Sequence, residues 1–331
     1  MPLNDRIVLE ELAKLVRETF LLWDDVWVGF SWRHYFFEHT QRVRALSLEI
    51  GRREGANLRK LEYAALLHDI TKRYDGNILK DNQGKRLLDQ NGFWRNELLM
   101  PKKENPITKM YQDYNQFHEL HNLSGALIAK KILESQNFSA DFCASVGSII
   151  EGHLKPEPMG GEGLPNLLER RILYESDTID ANLGLIAVYR NIHIHTHSMI
   201  AEKGSIDLRQ YIDRMKTWIN TKTPFIERMT TETSIKIAKE RRERMEEFCQ
   251  RIVEERDNDY LAGTEYGMLG VIKYLIDCNV NPNLLDEISY LQNYWIPQRN
   301  GKLNQSPKSE EILRNAVDFC RLLSQEIEGK A

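Results

Sequence analysis

Leu66-Leu67-His68-Asp69-Ile70-Thr71-Lys72 is an apolar run that stops on an adjacent His-Asp pair, with a lysine four residues after the histidine. On a helix, His68 and Lys72 share a face, while His68 and Asp69 stand about 100° apart. Two neighbouring ligands can therefore reach different points of one site, one holding a metal ion and the other bridging to a second. Asp69 and Lys72 become the candidate catalytic residues of the stretch. A His-Asp pair occurs by chance in many chains, so the reading depends on partners elsewhere.

Toward the amino terminus, the helix that carries the pair is expected from Leu58 to Lys72, with Leu61, Ala64 or Ala65, and His68 on its apolar face. From Glu38 to Arg53, His39, Val43, Leu46 and Ile50 recur at helical spacing, which turns His39 inward. Ile7 to Leu22 forms a further amphipathic helix, and the aromatic turn after it (Trp23, Trp27, Phe30, Trp32) reads as core packing.

Toward the carboxyl terminus, Arg73 to Phe117 is polar and broken by Asn82-Gln83-Gly84, Pro101 and Pro106, which predicts loops and short helices able to cover a site. Helical periodicity resumes with His121, Gly125, Ile128 and Ile132, and again with Val146, Ile149 or Ile150, and His153. Lys155 to Pro165 has the composition of a rim loop. Leu173, Asp177, and Asp180 or Ala181 form a last stripe with carboxylates on its apolar side, and Gly184 falls on the same face. Six polar residues thus point inward from five helices.

A single inward histidine is ordinarily a hydrogen-bonded core residue. Several imidazoles and carboxylates buried together are costly unless something satisfies them, and convergence on a cation satisfies all of them. The donors are nitrogen and oxygen with no thiolate. One or two divalent transition-metal ions are expected, with manganese, iron or cobalt favoured over zinc or magnesium.

The pattern His39, His68-Asp69, His121, His153 and Asp177 resembles the HD-domain metal-dependent phosphohydrolase superfamily over about residues 36–255. The resemblance implies that His39, His68, Asp69 and Asp177 hold one ion, and that His121, His153 and the bridging Asp69 hold a second. Small nucleotide-hydrolysing members are the most similar, through His68-Asp69-Ile70-Thr71-Lys72, His121-x-x-Ser124-Gly125 and Asp177-x-x-Asp180-Ala181. His118 shares a helical face with His121 and competes for its role; the register with Ser124 and Gly125 favours His121. A dinuclear centre would acidify a bridging water and stabilise charge on phosphoryl oxygens. Lys72 and, from the rim loop, Lys155 are candidate phosphate-binding residues, and Asp180 a candidate to orient an imidazole or receive a proton.

The fold class expected is all-α: an HD-type helical bundle over residues 1–258 followed by a helical extension over 259–331. In the extension, Leu269 to Ile276, Asn283 to Tyr294 and Glu310 to Ile327 read as helices, with Pro297 to Lys308 a polar linker. The extension could pack on the bundle, pair subunits into a homo-oligomer or narrow the pocket. Strands find little support.

The remaining features narrow the partners. Net charge is −4, and basic and acidic residues are interspersed, so no nucleic-acid polymer is expected as a partner. Cys143, Cys249, Cys278 and Cys320 follow no metal or disulfide spacing, which fits reduced thiols and the cytoplasm. No run reaches membrane-spanning length. His193, His195 and His197 fall outside the ligand pattern and read as adventitious surface histidines. Gly160-Gly161-Glu162-Gly163 lacks the flanks of a phosphate-binding loop. The leading expectation is a phosphohydrolase acting on a nucleotide or another small phosphate ester. The alternatives are a di-iron oxygenase built on the same ligands and a non-catalytic module that binds nucleotide to regulate a partner.

Overall fold

The computed structural model describes residues 3–90, 92–155, 163–257, 266–301 and 307–330. The expected domain boundary at 258 and most of the expected rim loop after Lys155 lie outside the described residues. The chain divides into two compact units, Met1–Ser176 and Asp177–Ala331. It is built almost entirely of helices, as the apolar periodicity predicts.

The first unit contains α1 (Leu3–Phe20), α2 (Tyr35–Glu54), α3 (Leu58–Leu67), α4 (Pro106–Asp113), α5 (His121–Ser135), α6 (Ala140–Glu151) and the first part of α7 (Leu167–Asn182). Its centre is α3. Tyr63, Ala64, Ala65, Leu66 and Leu67 have no exposed surface, so the second half of this helix is apolar all round and must be wrapped on every side. It packs against α2 and α6, and α5 lies along α6. Asn57 starts α3 by accepting a hydrogen bond from the Lys60 amide at 3.1 Å. The Arg59 guanidinium grips Asp5 at 2.7 and 2.8 Å and ties α1 to it.

Two short antiparallel hairpins depart from the all-helical expectation in detail. One pairs β1 (Trp27–Val28) with β2 (Ser31–Trp32), and the other pairs β3 (Asp75–Ile78) with β4 (Asn96–Leu98). The second occupies the polar stretch predicted to be loops and short helices; α4 is the helical part of that stretch. Its strands are polar and half-exposed and lack an alternating apolar face, so periodicity could not reveal them. Local turn chemistry holds them instead: Asp81 Oδ1 accepts from the amides of Gln83 and Lys85, both at 2.9 Å.

The second unit contains the end of α7, then α8 (Leu185–Lys203), α9 (Leu208–Asn220), α10 (Thr223–Glu227), α11 (Glu232–Asp257), α12 (Met268–Asp277), α13 (Leu284–Tyr290), α14 (Ile296–Asn300) and α15 (Pro307–Ile327). α8, α11, α12 and α15 pack on one another. The helix expected from Asn283 to Tyr294 passes into a π-helical turn at Leu291–Trp295, and the expected linker begins as α14, with Pro297 tolerated in its first turn. Among the described residues, no helix is long and apolar enough to cross a membrane.

His193 corrects the surface reading. It has no exposed surface, its Nε2 lies 3.2 Å from Glu287 Oε2, and Asn279 donates to its carbonyl at 2.8 Å. The alternating histidines sit on a helix whose partner, the Asn279–Glu287 region, is nearly a hundred residues away in sequence, so no local signal marks the pair.

Candidate metal centre

The deciding stretch leaves the helix earlier than expected. α3 ends at Leu67 and His68 is its cap; Lys72 N then bonds Asp69 O at 2.7 Å, and Lys72–Tyr74 forms a 3₁₀ turn. Thr71 accounts for the change, because its hydroxyl donates to His121 O at 3.1 Å and lies 2.8 Å from Ser124 Oγ, fastening the segment to α5. α5 can come this close because residue 125 is glycine: a Cβ there would stand 3.0 Å from His68 O. Lys72 therefore does not sit one helical turn beyond His68. Its Nζ turns to Asp75 Oδ2 at 3.0 Å and lies 3.2 Å from His121 Nδ1.

Four imidazoles surround Asp69. His39 Nε2 and His68 Nε2 lie 3.8 and 3.6 Å from Oδ2, while His121 Nε2 and His153 Nε2 lie 3.7 and 3.6 Å from Oδ1. All five side chains are buried. The two groups, His39-His68-Asp69 and Asp69-His121-His153, each gather their donor atoms closely enough to hold a metal ion. They come from α2, the end of α3, the start of α5 and the turn after α6, four places that pack around one apolar helix.

The donors fit a cation. His153 Nδ1 lies 2.7 Å from Ile150 O, which requires Nδ1 to carry the proton and leaves Nε2 as a bare lone pair. That Nε2 is buried without a hydrogen-bond partner among the described residues, and 3.6 Å from Asp69 Oδ1 is beyond hydrogen-bond reach. His68 Nδ1 is held in the same way, 2.8 Å from Ala65 O. Tyr35 stacks on His39 at 5.3 Å and fixes its plane.

The electrostatics favour a charged Asp69 carboxylate and a neutral His121. Burial works against the charge of Asp69, but the imidazoles of His68, His153 and His121 outweigh it and hold the carboxyl well below its ordinary range. Burial and the Lys72 charge push the His121 imidazole down, against the pull of Asp75, so its neutral, metal-competent form is favoured.

The other expected site residues stand as follows. His118 is exposed in the turn before α5, whereas His121 is buried and its Nε2 faces Asp69. Lys155 is exposed two residues after His153. Asp177, partly exposed, and Asp180, buried, lie on α7 at the start of the second unit; neither is in the two groups around Asp69. Asp75 escaped notice in the sequence. Its Oδ2 lies 2.8 Å from His121 Nδ1, yet it belongs to the polar hairpin and follows Asp69 at no helical spacing that would flag it.

The HD domain family model matches residues 36–182, which contain all six residues of the pattern. No curated protein matches the chain. Among solved structures, a predicted HD superfamily hydrolase from an uncultured Thermotogales bacterium is 24% identical, over 77% of this chain and 99% of its own, with a TM-score of 0.42. Bacillus subtilis YpgQ is 16% identical, over 76% of this chain and 97% of its own, with a TM-score of 0.40. The family match and the His-Asp geometry that fills it identify residues 36–182 of the chain as an HD domain.

Proposed function

We propose that the chain is a metal-dependent phosphohydrolase that cleaves a small phosphate ester or anhydride, with a nucleotide as the favoured substrate class. One observation carries this reading: the two oxygens of Asp69 face two different pairs of imidazoles, the arrangement of a carboxylate shared between two ions. Manganese, iron or cobalt suits these nitrogen and oxygen donors. When bound, the metal supplies Lewis acidity and a water acid enough to act as a nucleophile near neutral pH.

The chain's own residues supply the rest. Ala65 O and Ile150 O hold the Nδ1 protons of His68 and His153, so that both Nε2 lone pairs stay aimed at the carboxylate. Lys72 keeps positive charge beside His121 where a phosphoryl group would carry negative charge, and Lys155 can meet a phosphate oxygen from solvent. Asp177 keeps the ligand role that the sequence pattern implies, as part of this proposal. The reading does not require Asp180 to touch substrate. A groove of about 470 Å³ opens beside Asp75, lined by Trp94, Arg95 and Phe117 together with Asp89, Glu97 and Glu119; the preference for a nucleotide rests on the sequence motifs.

The test is phosphate and pyrophosphate release across a panel of nucleotides and phosphoesters, with manganese-loaded and iron-loaded protein, in air and under nitrogen. The proposal expects turnover that is independent of oxygen and supported by manganese. Turnover that requires both iron and oxygen would replace it with an oxygenase.

A further inference from the structure

His121 is held differently from its neighbours around Asp69. His68 and His153 rest their Nδ1 atoms on backbone carbonyls three residues back, which any sequence would offer. His121 stands at the first position of α5, where no preceding helical turn offers such a carbonyl. Its Nδ1 meets a side chain instead, Asp75 Oδ2 at 2.8 Å, and the same oxygen accepts from Lys72 Nζ at 3.0 Å.

Two proton arrangements are conceivable for this trio. With Nδ1 protonated, the imidazole donates to Asp75, and Nε2 presents its lone pair on the side of Asp69 Oδ1. With Nδ1 bare, Lys72 would donate to it across 3.2 Å and Nε2 would carry the proton. The second arrangement sets a nitrogen lone pair against a carboxylate oxygen at 2.8 Å. The first places a donor opposite an acceptor at both short contacts.

We propose that Asp75, with Lys72 as its charge partner, is the positioning residue that fixes the tautomer and plane of His121 and so sets the affinity of a divalent metal ion held by Asp69, His121 and His153. The proposal rests on the metal-centre reading. A carboxylate behind an imidazole makes it a more basic ligand than a carbonyl does, and loss of such a carboxylate typically weakens metal binding by about 10- to 100-fold. On the other side of Asp69, His68 rests on the Ala65 carbonyl and His39 stacks on Tyr35, both outside the β3–β4 hairpin. The two sites should therefore respond differently to the same substitution.

The experiment titrates metal-free, full-length protein with Co²⁺, following the visible absorption of the bound ion and the stoichiometry by equilibrium dialysis. Wild type is compared with Asp75→Asn, Asp75→Ala, His121→Ala and the double variant His121→Ala/Asp75→Ala. The expected result is that the Asp75 variants weaken one of two Co²⁺ ions by about 10- to 100-fold and leave the other unchanged. In the His121→Ala background, Asp75→Ala should add nothing further, because Asp75 acts through His121. Asp75→Asn keeps the side-chain shape, so a folding defect of the alanine variant does not remove the test. Wild-type affinity for both ions in Asp75→Asn, equal weakening of both, or a full effect of Asp75 in the His121→Ala background would each overturn the proposal. Wild-type protein that takes up no Co²⁺ would overturn the metal centre and this proposal with it. Normal uptake of two ions without phosphate release would count against the proposed hydrolysis alone.

Discussion

Glu326 is wholly buried in the second unit. One carboxylate oxygen accepts from the Ile186 amide at 3.1 Å, at the open end of α8, and Arg244 and Arg241 approach to 3.5 and 4.0 Å. Burial raises its pKa above the ordinary 4.5, against the opposing pull of Arg241, the α8 amides and Arg244. A raised value means that the folded chain binds this proton more tightly than the unfolded chain does. The resulting stabilisation is complete below about pH 4.5 and is lost as pH rises through the folded value. Glu326→Gln cannot titrate. Urea unfolding at a series of pH values should therefore show the stability of wild type minus that of the variant falling as pH rises from about 4.5 toward neutrality; a difference that grows with pH would refute the assignment. At this scale the sequence was uneven. The inward register of His39, His68, His121 and His153 could be read because each repeats with apolar residues at helical spacing. Asp75, Glu287 and Glu326 could not, because each acts on a residue far away in the chain or outside any periodic face.

α5 presses on the turn after α3 through Gly125, where even a methyl group would stand 3.0 Å from a backbone carbonyl. A carbonyl inside a hydrogen-bonded turn cannot swing aside as a side chain can. Gly125→Ala should shift α5 by a few tenths of an ångström, carry His121 with it and cost about 1–3 kcal/mol, as overpacking does in tight interiors. Urea unfolding measures the cost, and wild-type stability would show that the contact has more slack than the distance implies. Helices were the most legible elements because an amphipathic stripe survives any tertiary context. Their ends were less so: α3 stops at Leu67 rather than Lys72 because Thr71 bonds to α5, a tertiary contact with no local signature. The β3–β4 hairpin was illegible for the reason given by its composition, polar strands held by turn residues.

At the scale of the whole chain, the HD family match ends at residue 182, a few residues past the division between the two compact units. The gathering of His39, His68, Asp69, His121 and His153 was legible because their spacing across the first unit follows helical periodicity. The second unit carries buried polar pairs, such as His193 with Glu287, that stabilise its own packing and leave no spacing pattern in the sequence. The proposed hydrolysis requires Asp69 to serve two metal ions, one through each oxygen. Metal content by inductively coupled plasma mass spectrometry, on wild type and on Asp69→Ala, His39→Ala and His121→Ala loaded with manganese and desalted, tests it most directly. Two ions per chain are expected in wild type, about one in either histidine variant and none in Asp69→Ala, with helix content by circular dichroism unchanged. Metal retained by folded Asp69→Ala at the wild-type level would contradict it.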